Sequence, residues 1–82
     1  MDEPDWWNWD LELSSHIQKR MIDRHFSEVD LRTMLQYATR YRANHEEGRF
    51  VIHTRLDDRA WSVIVEPAIV EKVLIVITAY PS

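Results

Sequence analysis

Cysteine is absent from this 82-residue chain, which excludes a disulfide frame, a thiolate zinc site and a thiol nucleophile together. Glycine occurs once and proline three times, and no stretch is repetitive or of low complexity. With 45% hydrophobic residues the chain reads as one globular domain over 1–82. No apolar run approaches membrane-spanning length, and the start, Met1-Asp2-Glu3-Pro4-Asp5, is acidic where a leader would be basic. The expectation is a cytoplasmic protein without a membrane partner, residues 1–6 forming a flexible acidic lead. A domain of this size buries only about 60% of the surface of its unfolded chain. A homodimer or another protein partner would therefore help it.

The net charge of -4 speaks against broad binding to duplex DNA, but the charge is unevenly spread. Residues 1–13 hold five acids and no base, whereas 14–59 hold nine bases against seven acids. Eight of those nine bases are arginine, the residue suited to bidentate phosphate contact. The cationic surface is local.

Trp7, Trp9, Leu11 and Leu13 alternate with polar residues, the period of a half-buried strand, and this places Trp6 on the opposite side. Ser15 followed by Gln18 has the form of a capping box and predicts a helix from His16 to about His25. Ser27 with Asp30 repeats that signal. The helix it opens carries Leu31, Met34, Leu35, Ala38 and Tyr41 as a core-facing stripe. A polar connector, 44–48, precedes three strands at 49–55, 60–66 and 72–80. Leu56–Arg59 is a hairpin turn, and Pro67-Ala68 breaks the second strand from the third. The order β-α-α-β-β-β describes an α+β fold, two helices packed on a mostly antiparallel four-stranded sheet.

His16, Arg20 and Arg24 recur every four residues and so share one helix face. An imidazole beside two permanent cations suits a phosphodiester that must be held and cleaved. His16 would take the proton of a ribose 2′-hydroxyl, and the two arginines would stabilise the transition-state charge. A solvated basic helix face would show the same spacing. Thr78 and Tyr80, two apart near the end of the last strand, share a face with Leu74 and Val76 by simple alternation. Tyr80 would protonate the leaving oxygen or stack on a base, and Thr78 would bind a phosphate oxygen. His53 and Arg55 share a strand face and rank second as RNA-binding residues. Four histidines invite a metal site, but no HExxH or comparable spacing occurs, and nothing calls for a cofactor. Trp6 is the candidate anchor for a protein partner.

A strand leading into His16-x-x-x-Arg20-Met21-x-x-Arg24, a short second helix, and a three-strand meander ending Val76-Ile77-Thr78-Ala79-Tyr80 resembles a small bacterial family. It is the domain-of-unknown-function family forty-two fifty-eight, itself similar to the barnase–EndoU–colicin–RelE ribonuclease-like superfamily. The resemblance spans roughly residues 9–80. It implies a toxin-type, metal-independent endoribonuclease with an RNA substrate and a cognate antitoxin. The alternative is a non-catalytic protein-interaction module of the same fold.

Overall fold

The computed structural model describes residues 4–82; of the lead expected at 1–6, residues 1–3 lie outside the described residues, while Asp5 and Trp6 belong to a 3₁₀ turn. A short 3₁₀ turn at Asp5–Asn8 leads into β1 (Asp10–Leu13), α1 (Ser15–Asp23), α2 (Glu28–Gln36), β2 (Arg40–Ala43), β3 (Phe50–Leu56), β4 (Arg59–Ala68) and β5 (Val73–Pro81). The five strands form one sheet in the order β1-β5-β4-β3-β2, antiparallel except for the parallel pair β1–β5. The fold is α+β as expected, with five strands in place of four. No helix among the described residues is long and apolar enough to cross a membrane.

Both helices pack on one face of the sheet. Ile17 of α1 and Leu31 and Met34 of α2 meet Ile52, Val63, Val65, Leu74, Val76 and Ala79 in a single core. The Thr54 hydroxyl, buried on that face, donates to the Met34 carbonyl and ties β3 to α2. Among the described residues the opposite face carries no helix. Its residues alternate with those of the core: Val51, His53 and Arg55 on β3, then Ser62 and Ile64 on β4.

The helix ends follow from local chemistry. Ser14, one residue before the expected cap, accepts the Ile17 N–H through its hydroxyl, while Gln18 reaches back to the Leu13 carbonyl. At the other end His25 adopts φ 57°, and the N–H groups of His25 and Phe26 close on the carbonyls of Ile22 and Met21. This is a left-handed helix stop that turns Phe26 into the core, its ring 5.2 Å from that of Trp61. Helix α2 has the expected capping box, Ser27 with Asp30. Asp57 and Asp58 both have positive φ, as a two-residue β3–β4 hairpin requires.

Four local expectations are corrected. Helix α2 ends at Gln36, and Tyr41, read as its last apolar residue, lies instead on β2 and packs on Trp6 and Phe50. Pro67 does not break the second strand. It lies within β4 where pairing with β3 has already stopped at Val65, so its missing N–H is not needed there. Trp6 is not free for a partner: the 3₁₀ turn reverses the predicted alternation and leaves Trp6 only 7% exposed. Trp7 and Trp9 are half-buried at the rim of the core. Thr78 and Tyr80, finally, do not share a face with Leu74 and Val76. Val76 pairs with Val65 but Thr78 pairs with Ile64, so a bulge at Ile77 switches the strand's two faces.

Candidate active site on the open face of the sheet

The bulge separates the two groups that the sequence suggested would converge. His16 and Arg24 lie on the exposed side of α1, and Arg20 is half-exposed there. Arg20 meets Asp23 at 3.8 Å, a surface pair worth at most about 1 kcal/mol. Arg24, at the C-cap, donates from Nη1 to the Ala79 carbonyl at 2.8 Å. Thr78 and Tyr80 point away from the helix layer, on the open face, and Tyr80 is 38% exposed.

What the register does bring together is a row across four strands. Arg40 on β2 stands opposite His53 on β3, His53 opposite Ser62 on β4, and Ser62 opposite Tyr80 on β5. The next row is Arg42, Val51, Ile64 and Thr78. Side chains directly opposite in neighbouring strands have Cβ atoms about 4.5–5.5 Å apart, within reach of one another. Guanidinium, imidazole, hydroxyl and phenol therefore stand side by side on one face. His53 and Arg55, second-rank in the sequence, share this face, and Tyr80 and Thr78 join them. Arg55 is directed toward the hairpin, its Nη2 donating to the Asp58 carbonyl at 2.6 Å.

The electrostatics of the row centre on His53. Its pKa is lowered from 6.5, first by desolvation and then by the positive charges of Arg40 and Arg42. The ring is thereby held neutral at neutral pH. Its Nε2 is buried and has no hydrogen-bond partner, unusual for a polar atom in a folded protein. Among the described residues neither Arg40 nor Arg42 has an acidic partner within salt-bridge distance, unlike Arg20, Arg32 and Arg49. Ser62 is buried and shares a 2.7 Å hydrogen bond with the Ser82 hydroxyl.

Arg40 and Arg42 were missed in the sequence because Tyr41 completed the apolar stripe of a helix. The signal that would have found them is the alternation Arg40-Tyr41-Arg42, one apolar residue between two cations, which is the period of a strand. On the other side of the sheet, Trp7, Trp9, Leu11, Arg32 and Leu35 line a cleft of about 360 Å³. It contains no acid–base pair. Among the described residues no three His, Cys, Asp or Glu side chains gather as a metal site.

No match is found among curated proteins or among solved structures. The family model described as a domain of unknown function, DUF4258, matches residues 13–81, from the last residue of β1 to the end of β5, and the chain belongs to that family.

Proposed function

We propose that the protein is a metal-independent endoribonuclease of the toxin type, with its site on the open sheet face. The observation that supports this most is the row Arg40–His53–Ser62–Tyr80, in which an imidazole kept neutral stands between a cation and a phenol, with Arg42 one row away and neither arginine paired with an acid among the described residues. In this reading Arg40 and Arg42 hold the non-bridging oxygens of a phosphodiester. His53 Nε2, buried and without a hydrogen-bond partner in the free protein, becomes accessible as RNA binds and takes the proton of the ribose 2′-hydroxyl. The 2′-oxygen attacks phosphorus, the bond to the 5′-oxygen breaks, and Tyr80 gives that oxygen a proton. The products are a 2′,3′-cyclic phosphate and a free 5′-hydroxyl. Acid–base transfer of this kind is worth about 10²–10⁴ in rate, and each preorganised charge on the transition state about 10²–10³. Thr78, one row away, would bind a phosphate oxygen. His16 and Arg20 stand on the other layer and would at most guide RNA.

The test is cleavage of a single-stranded RNA by purified protein in excess EDTA, compared with His53→Gln and Tyr80→Phe variants of equal melting temperature. Cyclic-phosphate ends and a loss of at least about 100-fold in His53→Gln are expected. Equal cleavage by His53→Gln, with His16→Gln inactive, would return the site to the α1 face.

A second reading, a protein-interaction module, draws on the half-exposed indoles of Trp7 and Trp9 in their cleft. It predicts no RNA cleavage by the wild-type protein.

A further inference from the structure

Strand β1 ends at Leu13 while β5 continues to Pro81, so among the described residues the second half of β5 has no strand on its outer side. Three backbone carbonyls along that side are nevertheless occupied. The Ser14 N–H donates to Val76 at 3.2 Å, Ser14 Oγ donates to Ile77 at 2.9 Å, and Arg24 Nη1 donates to Ala79 at 2.8 Å. In a regular strand successive carbonyls point to opposite edges. After Val76, the outward ones would then belong to Thr78 and Tyr80. The bulge shifts this parity by one residue and turns the carbonyls of Ile77 and Ala79 outward instead. The two side-chain donors bind those two carbonyls. They fit the bulged register and not the regular one, and they come from the two caps of one helix, Ser14 at the start of α1 and Arg24 at its end.

We propose that α1 is a latch on this bulge, and that Arg24 is a positioning residue: it keeps Thr78 and Tyr80 on the open face beside Ile64 and Ser62. The role of Tyr80 in chemistry rests on the ribonuclease reading above; its placement does not. Without the bulge, Ser62 would pair with Ala79 and Trp61 with Tyr80, which would carry the phenol to the helix side. Four-residue spacing in α1 has a structural use here, since its last member reaches the edge of β5 from the helix C-cap.

The test is the pairing itself, read by NMR in the wild-type protein, Arg24→Lys, Arg24→Met and the Ser14→Ala/Arg24→Met double variant. Wild type is expected to show cross-strand contacts joining Ser62 with Tyr80 and Val63 with Ala79. Arg24→Lys, which keeps a donor, retains them. The double variant loses them, and amide exchange at Ile77–Tyr80 becomes at least about tenfold faster, while the β3–β4 contacts persist. If the double variant does not fold, Arg24→Met alone, with both Ser14 bonds intact, is expected to show the same acceleration. Native pairing with unchanged exchange in a variant lacking both donors would overturn the latch. RNA cleavage measured alongside separates the two proposals. Cleavage lost with pairing intact returns Arg24 to the phosphate and also overturns the latch. Pairing lost in the double variant of a protein whose wild type cuts no RNA leaves the latch standing and removes the ribonuclease.

Discussion

Truncating Trp6 to alanine should unfold the domain or nearly so. Its ring lies 5.2 Å from Phe50, 5.7 Å from Tyr41 and 5.8 Å from Trp7, and the residue is 7% exposed. Removing a buried aromatic side chain of this size costs about 3–5 kcal/mol. The three ring pairs add to the burial, at about 0.5–1.5 kcal/mol for a well-formed pair. A chain of this length is stabilised by only about 4–12 kcal/mol in total, at 0.05–0.15 kcal/mol per residue. A loss at the lower bound would therefore lower the melting temperature by at least about 12 °C, since 1 kcal/mol corresponds to 4–8 °C in so small a domain. Circular dichroism melts of Trp6→Ala and Trp9→Ala provide the comparison. Trp9 is half-buried at a cleft, so its truncation should cost clearly less. A Trp6→Ala protein that melts like wild type while Trp9→Ala collapses would mean that the 3₁₀ turn is misplaced and that the simple alternation through Trp7 and Trp9 was right.

The lowered pKa of His53 gives two linked expectations. Below its unfolded value of 6.5 the unfolded chain binds the proton more readily than the folded one, so stability should fall as pH drops from about 6.5 toward the lowered folded value, then level off; denaturant melts of His53→Gln should lack this slope. Cleavage should rise with pH over the same limb and be flat at neutrality, and Arg42→Gln, by removing one positive neighbour, should move the limb upward; an unmoved limb would separate His53 from the reaction. Cleavage should survive chelation, and DNA, which lacks the 2′-hydroxyl, should be inert; equal cutting of DNA would refute internal attack. Arg20→Ala should leave the melting temperature within about 4 °C of wild type, as surface changes usually stay within about 0.5 kcal/mol.

The parts of the fold readable in the sequence are those where a local signal and tertiary packing agree. The Ser27–Asp30 capping box, the Leu31–Met34 stripe and the Leu56–Arg59 turn each have a local cause, and each appears as expected. The missed strand β2 is a case where two periods fit the same residues: Ala38 and Tyr41 continue a helical stripe, while Arg40, Tyr41 and Arg42 alternate. Pairing with β3 decided between them, and that pairing is not local. The candidate site failed to assemble as drawn for a similar reason. A single inserted residue in β5, invisible to hydropathy because Val76, Ile77 and Ala79 are all apolar, changes the face of everything after it. His53 and Arg55 were correctly placed together on one strand face, but nothing local says which residues of β2, β4 and β5 stand opposite them.

The parallel pairing of β1 with β5 also bears on how the chain reaches this state. Asp10 is matched with Val73, so the first strand has no partner in the sheet until the last one has been made. The β2–β3–β4–β5 meander forms from near neighbours, each strand joined to the next by a short connection, whereas β1 must be brought to the outer edge of β5 across most of the chain. Long-range closure of this kind is the slow part of folding. Tyr80 lies on the last strand of that meander, so the row on the open face is built from sequential pairings alone and does not wait for β1 to close onto β5.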